Sequence, residues 1–118
     1  KETSDSIKKL YGKTNYLMDP HTAVGYAVWE KYKEKTNDNT HTVIMSTAHP
    51  YKFPYAVNSA LEVSTDENPY DLLDALAEKT KIAIPKQLKE LKELPVRFNT
   101  NIGKDEIESY VENKIKNS

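Results

Sequence analysis

Residues 42–54, TVIMSTAHPYKFP, hold the clearest strand pattern in the chain, followed directly by a polar loop. The first five residues, 42–46, are β-branched and apolar without alternation, which is typical of a strand buried on both faces of a parallel sheet. We therefore predict an α/β fold with one buried parallel-type strand at about 42–46. A single strand cannot form a sheet, and the chain offers only weak further candidates at 82–84 and 95–98. This imbalance predicts a fragment whose partner strands lie elsewhere.

The rest of the chain is predicted to be mostly helical. Asp19 is a strong N-cap and Pro20 suits the first helical position, so we expect a helix from there to about Lys35. Its early part, 22–28, is small and apolar nearly all round, which predicts burial against a sheet. Further helices are predicted at about 4–12, 55–63, 69–79, 85–91 and 104–116. The first of these is expected to end at Gly12.

Composition and charge restrict the functional classes. A chain of 118 residues has room for one domain, and 17 basic against 18 acidic side chains give a net charge of -1. Nucleic-acid binding is disfavoured because the lysines alternate with acids and Arg97 is the one arginine. The lack of cysteine excludes disulfides, thiolate zinc sites and a cysteine nucleophile. No apolar run approaches a membrane span and no secretory signal layout is present, so we expect no membrane partner and a cytoplasmic location.

Two polar clusters could carry chemistry. The first, 19–22, opens the long helix, and a well-capped helix start would look the same. The second, 46–52, follows the predicted strand, and ligands of open α/β sheets bind beyond the carboxyl ends of strands. By itself this second cluster is equally compatible with an ordinary strand-to-helix loop. The three histidines lack helical i, i+4 spacing, so no metal site is predicted, and the chain has no glycine-rich phosphate loop.

Together the two clusters resemble the C-terminal region of threonine synthases of the longer, bacterial and fungal type. The matching stretches are DPHTAVG at 19–25 and STAHPYKFP at 46–54. Residues 84–86 and the last helix also resemble that family, so the likeness covers essentially the whole chain. It implies that residues 1–118 are a single C-terminal segment of an enzyme with the tryptophan-synthase-β-like fold, also called fold type II. Enzymes of that fold use pyridoxal 5'-phosphate (PLP).

The resemblance also implies a reaction. The full enzyme would convert O-phospho-L-homoserine and water to L-threonine and phosphate, acting in threonine biosynthesis as a carbon–oxygen lyase on a phosphate ester. In that family the lysine that carries PLP and the loop that binds its phosphate lie upstream, in regions absent here. We therefore expect no catalytic residue in this chain, no tight PLP binding and no turnover. Its partner would be the missing N-terminal part of the same protein.

By the same resemblance, Thr47 is the hydroxyl that would meet the pyridine nitrogen of PLP, and Ser46 is the near alternative. A neutral hydroxyl can donate a hydrogen bond there without transferring a proton. The ring would then be a milder electron sink than one that faces a carboxylate.

The other residues carried over from the family are expected to line the pocket, and none of them can be assigned a step. His49 and Lys52 belong to the second motif, and the first motif would place the long helix beside the site, mainly as structure. The expected pocket-lining residues are His49, Lys52, Asp19, His21 and Thr22.

The alternative reading is a small helical protein-interaction module without catalysis. The helices at 79–93 and 104–116 are rich in Lys and Glu and carry apolar stripes that could pack on a partner. The discriminating feature is the strand at 42–46. A self-contained module needs local partners for it, whereas a fragment leaves its edge unpaired.

Overall fold

The structure is a computed structural model that describes residues 1–63 and 68–117. Within these ranges it contains six α-helices and no β-strand. The helices are α1 (Glu2–Thr14), α2 (Pro20–Thr36), α3 (Pro54–Ala60), α4 (Pro69–Thr80), α5 (Lys86–Glu90) and α6 (Ile107–Lys116). Single 3-10 turns lie at Pro50–Lys52, Leu91–Glu93 and Lys104–Glu106. The prediction of a mostly helical chain is confirmed.

Local capping chemistry explains where the longer helices begin and end. At the start of α2, the Asp19 side chain accepts the backbone N–H groups of His21 and Thr22, as the sequence predicts. The predicted end of α1 at Gly12 is wrong, because the helix continues to Thr14. Asn15 closes it instead in the left-handed conformation (φ 59°), and its N–H donates to the Tyr11 carbonyl at 2.8 Å.

The core lies where α1 packs on α2 and α3, and where α3 packs on α4. Loop residues complete it, because Leu17, Met18 and Tyr51 are as buried as the helical side chains. Its buried members are Ile7, Leu17, Met18, Ala23, Tyr51, Val57, Ala60, Leu61, Leu73 and Leu76. This cluster fixes the first turn of α2 beside the loop at 46–54.

The chain as a whole is extended. Its radius of gyration is 18.9 Å, whereas a compact domain of this length would have about 13–14 Å. The reason lies in the C-terminal part, where residues 91–109 are all exposed. Phe98 is 84% exposed, and Ile107, Val111 and Ile115 share the open apolar face of α6. Much apolar surface therefore has no cover among the described residues.

The predicted buried strand at 42–46 is not seen in the part of the chain that the structure describes. No backbone hydrogen bond joins the segment to another part of the described chain, and Val43 and Met45 are each 75% exposed. Ile44 is half-buried and lies beside Gly25. The physical reason is that a strand needs a neighbour for its N–H and C=O groups, and none of the described segments supplies one. The described residues thus show a helical chain, and they do not show the α/β fold or its buried strand.

The early part of α2 is likewise less buried than its composition predicts. Thr22 and Ala23 face the core, but Val24 and Val28 are exposed. The sheet that was expected to cover them is not among the described residues.

Candidate functional site

The site begins with a buried carboxylate at the start of α2. Asp19 is 0% exposed. Its Oδ1 accepts the backbone N–H of His21 at 2.9 Å and that of Thr22 at 3.4 Å, while its Oδ2 accepts the Thr22 hydroxyl. The His21 Nδ1 atom lies 3.1 Å from Oδ1. Every donor in this set comes from residues 21 and 22, so the carboxylate is committed to the helix start.

These contacts set the charge of Asp19. Burial by itself would raise the pKa of the carboxyl, but the hydrogen bonds from the Thr22 hydroxyl and from the His21 and Thr22 N–H groups lower it. The net pKa lies below the usual value of 3.8. Asp19 is therefore an ionised cap and not a proton donor at neutral pH.

The structure brings the two polar clusters together at this point. The backbone N–H of Thr47 donates to the Thr22 hydroxyl oxygen at 3.4 Å, across 25 positions of sequence. The His21 ring meets the edge of Phe53, with ring centroids 4.8 Å apart. The loop after residue 46 is thereby seated on the first turn of α2, which the sequence spacing alone does not reveal.

The two candidate hydroxyls differ in their availability. Ser46 and Thr47 are both exposed. The Ser46 hydroxyl donates to the Ala48 carbonyl at 3.4 Å, whereas the Thr47 hydroxyl forms no hydrogen bond within residues 1–63 and 68–117. Of the two, Thr47 thus presents the free donor, while its own backbone is anchored.

His49 and Lys52 lie on different sides of the loop. The His49 Nδ1 atom accepts the Tyr51 N–H at 3.3 Å and caps the turn Pro50–Lys52, which leaves the proton of the neutral ring on Nε2. With Ser46, His49 lines a cavity of about 260 Å³. Lys52 instead borders a separate depression of about 400 Å³ beside Phe53 and Tyr55. The expected pocket-lining residues therefore do not share one cavity in this chain.

Tyr51 is a structural anchor of the loop that the sequence pattern above does not predict. Its side chain is buried, and its hydroxyl donates to the Ile82 carbonyl at 2.6 Å. Burial also raises the pKa of the Tyr51 phenol. The bond ties the loop to the segment after α4. An aromatic residue between Pro50 and Pro54 in a polar loop is the signal that could have indicated such an anchor.

The described residues hold no group of three or more His, Asp or Glu side chains that could hold a metal ion. None of the helices in residues 1–63 and 68–117 is both long enough and apolar enough to span a bilayer.

The fold and the site define a helical segment that seats a hydroxyl-bearing loop on the first turn of its longest helix. The particular family follows from comparison with known proteins. A family model described as threonine synthase, C-terminal, matches residues 22–111. The chain belongs to the threonine synthase family.

Individual relatives agree with the family model. The chain is 52% identical over 68 residues to threonine synthase of Schizosaccharomyces pombe, which covers 57% of this chain and 13% of that protein. It is 39% identical over 113 residues to threonine synthase of Saccharomyces cerevisiae, covering 90% of this chain and 22% of that protein. Human threonine synthase-like 1 is 29% identical over 124 residues, covering 93% of this chain and 16% of that protein. The chain thus spans less than a quarter of the length of these relatives.

Proposed function

We propose that the protein to which this chain belongs is a threonine synthase. It converts O-phospho-L-homoserine and water to L-threonine and phosphate with PLP as cofactor, and this chain supplies one wall of the cofactor site. The observation that carries the proposal is the free Thr47 hydroxyl, held by its backbone at the start of α2 in a chain of the threonine synthase family.

The chemistry of the donors around Thr47 fits a pyridine ring. A ring nitrogen accepts one hydrogen bond, and Thr47 offers a neutral donor whose hydroxyl is otherwise unused among the described residues. Ser46 is engaged by the Ala48 carbonyl. The nearby Asp19 carboxylate is buried and engaged by α2, so it is not available to protonate a ring.

When bound, PLP supplies an electron sink for the electrons released at the substrate α-carbon. In this chain, the Thr47 hydroxyl would hold the ring nitrogen by donating a hydrogen bond to it without giving up its proton. The ring would then be a milder electron sink than one whose nitrogen faces a carboxylate.

The same proposal explains the exposed, unpaired backbone of residues 42–46. We infer that they join the sheet of a fold type II enzyme when the rest of the protein is present. Val43 and Met45 are exposed and alternate with Ile44, which lies against α2. Thr47 then follows the carboxyl end of the strand, where ligands of α/β sheets bind.

The other residues proposed for the cofactor site follow from the same placement. Ser46 and His49 are proposed to line the pocket beside Thr47, because they share a cavity. Lys52 is proposed only as a neighbour, since it borders a different depression. The lysine that carries PLP is proposed to come from outside this chain, and the isolated chain is proposed to be inactive.

A helical interaction module without catalysis is the second candidate. The open face formed by Ile107, Val111 and Ile115 on α6 is what such a module would present. The same face is expected on an enzyme segment from which the covering part is missing. Membership of the threonine synthase family favours the enzyme.

The test uses the full-length protein with Thr47→Val, and with Ser46→Ala as the matched hydroxyl deletion. We expect T47V to change the absorbance of bound PLP and to lower phosphate release from O-phospho-L-homoserine by about fivefold, since one hydrogen bond is worth about 1 kcal/mol. S46A should leave both close to wild type. If T47V also leaves both unchanged, the proposed role of Thr47 is refuted. If no variant, wild type included, releases phosphate, the enzyme proposal itself is refuted.

A further inference from the structure

The contact between Thr22 and Thr47 has a fixed direction. The Thr22 hydroxyl has one proton, which it donates to Asp19 Oδ2, so its oxygen faces the Thr47 backbone as an acceptor. Thr22 is buried and Asp19 is fully buried. Their geometry therefore forms a short chain of hydrogen bonds that runs from the Thr47 N–H through the Thr22 hydroxyl to the Asp19 carboxylate.

The carboxylate keeps this direction from reversing. Its Oδ1 is held by the His21 and Thr22 backbone N–H groups, and both belong to the first turn of α2. Asp19 cannot leave that position without uncapping the helix. An ionised carboxylate only accepts hydrogen bonds, so the Thr22 proton stays directed toward Asp19.

Among the described residues, little else holds the Thr47 backbone. No backbone hydrogen bond joins residues 42–46 to other described segments, and the anchor at Tyr51 lies four positions further along the chain. Within the described part of the chain, the Thr22 contact is the one hydrogen bond of residues 42–49 that reaches a distant residue.

We propose that Asp19 and Thr22 are positioning residues that fix the Thr47 backbone so that its free hydroxyl is aimed at the cofactor ring nitrogen. This proposal rests on the proposed function, because it needs Thr47 to meet the ring. It gives the polar start of α2 a role beyond capping: the helix start sets where a loop residue of the cofactor wall lies.

The experiment uses the full-length protein and Thr22→Val, which keeps the shape and removes the hydroxyl. The first readout is hydrogen–deuterium exchange of the Thr47 amide without PLP, and the second is the absorbance of PLP after it binds. We expect T22V to speed amide exchange at Thr47 by about fivefold and to shift the PLP spectrum in the same direction as T47V. Thr22→Ser, which keeps the hydroxyl, should restore both to wild type.

Thr36→Val is the matched control at the other end of α2. The Thr36 hydroxyl donates to the Tyr32 carbonyl at 2.8 Å and accepts the Asp38 N–H at 3.3 Å, so the same kind of group is lost far from Thr47. T36V should leave the exchange of the Thr47 amide and the PLP spectrum unchanged. An equal effect of T36V and T22V would reduce the role of Thr22 to general stability and overturn the proposal.

Asp19→Asn gives a second approach if T22V fails to fold, because Asn caps helices as well as Asp does. Its amide oxygen can replace Oδ1, which places an NH₂ donor toward the Thr22 oxygen in competition with the Thr47 N–H. We expect D19N to speed exchange of the Thr47 amide by less than T22V does, but measurably.

The two proposals can fail separately. If T47V changes the PLP spectrum and T22V and D19N do not, the positioning role is overturned and the proposed function stands. If T47V has no effect on the spectrum, the proposed function of Thr47 fails, and the positioning role fails with it.

Discussion

The exposed position of Met45 predicts that Met45→Ala lowers the free energy of unfolding little in the 118-residue chain and much more in the full-length protein. In the 118-residue chain the Met45 side chain is 75% exposed, so Met45→Ala should change the free energy of unfolding by at most about 0.5 kcal/mol. In the full-length protein, residues 42–46 are proposed to form an interior strand. There the same truncation removes a buried side chain and should cost about 2–5 kcal/mol.

Urea unfolding followed by circular dichroism measures both values, with Leu76→Ala as the control. Leu76 is 0% exposed in the core, so its truncation should cost about 2–5 kcal/mol in either context. A small cost of M45A in the full-length protein, with a large cost of L76A, would refute the placement of 42–46 in a sheet. A large cost of M45A in the 118-residue chain would refute the exposed position described above.

Three further predictions concern the chain itself. Titration with PLP followed by borohydride reduction should label lysines at scattered positions without saturation, because the lysine of the site is proposed to lie elsewhere; saturable labelling of one lysine would contradict this. The folded-state pKa of Asp19 lies below its unfolded value of 3.8, so its stabilisation is present above about pH 4 and is lost as the pH falls through the folded-state pKa. The free energy of unfolding, measured against pH, should therefore fall less steeply in acid for D19N than for wild type. Parallel curves for the two proteins would contradict the stabilising role of the Asp19 charge. Tyr51→Phe should lower the free energy of unfolding by about 1–3 kcal/mol, because it leaves the Ile82 carbonyl without its partner. Tyr55→Phe, at an exposed position, should lower it by less than about 0.5 kcal/mol. Equal losses of stability in thermal unfolding would refute the role of Tyr51 as an anchor.

The parts of the fold that depend on local chemistry could be predicted from the sequence. Asp19 and Pro20 specify the start of α2 through a cap and a fixed φ, and both effects act within one helical turn. The end of α1 was harder to place, because Asn15 and Gly12 can both adopt a left-handed conformation or end a helix, and the choice depends on packing.

The parts that depend on distant partners could not be predicted. The pattern at 42–46 correctly describes an apolar segment, but a strand forms only beside another strand, and the described residues supply none. The Thr22–Thr47 contact joins residues 25 positions apart. It arises from the packing of the loop on α2, which no spacing rule reports.

The proposed role of this chain depends most on the Thr47 hydroxyl as the partner of the cofactor ring. A crystal structure of the full-length protein with PLP bound measures this directly. We expect Thr47 Oγ1 to lie about 2.7–3.2 Å from the pyridine nitrogen, with residues 42–46 paired to strands on both sides. A Thr47 hydroxyl that points away from the ring, with a carboxylate at the nitrogen instead, would contradict it.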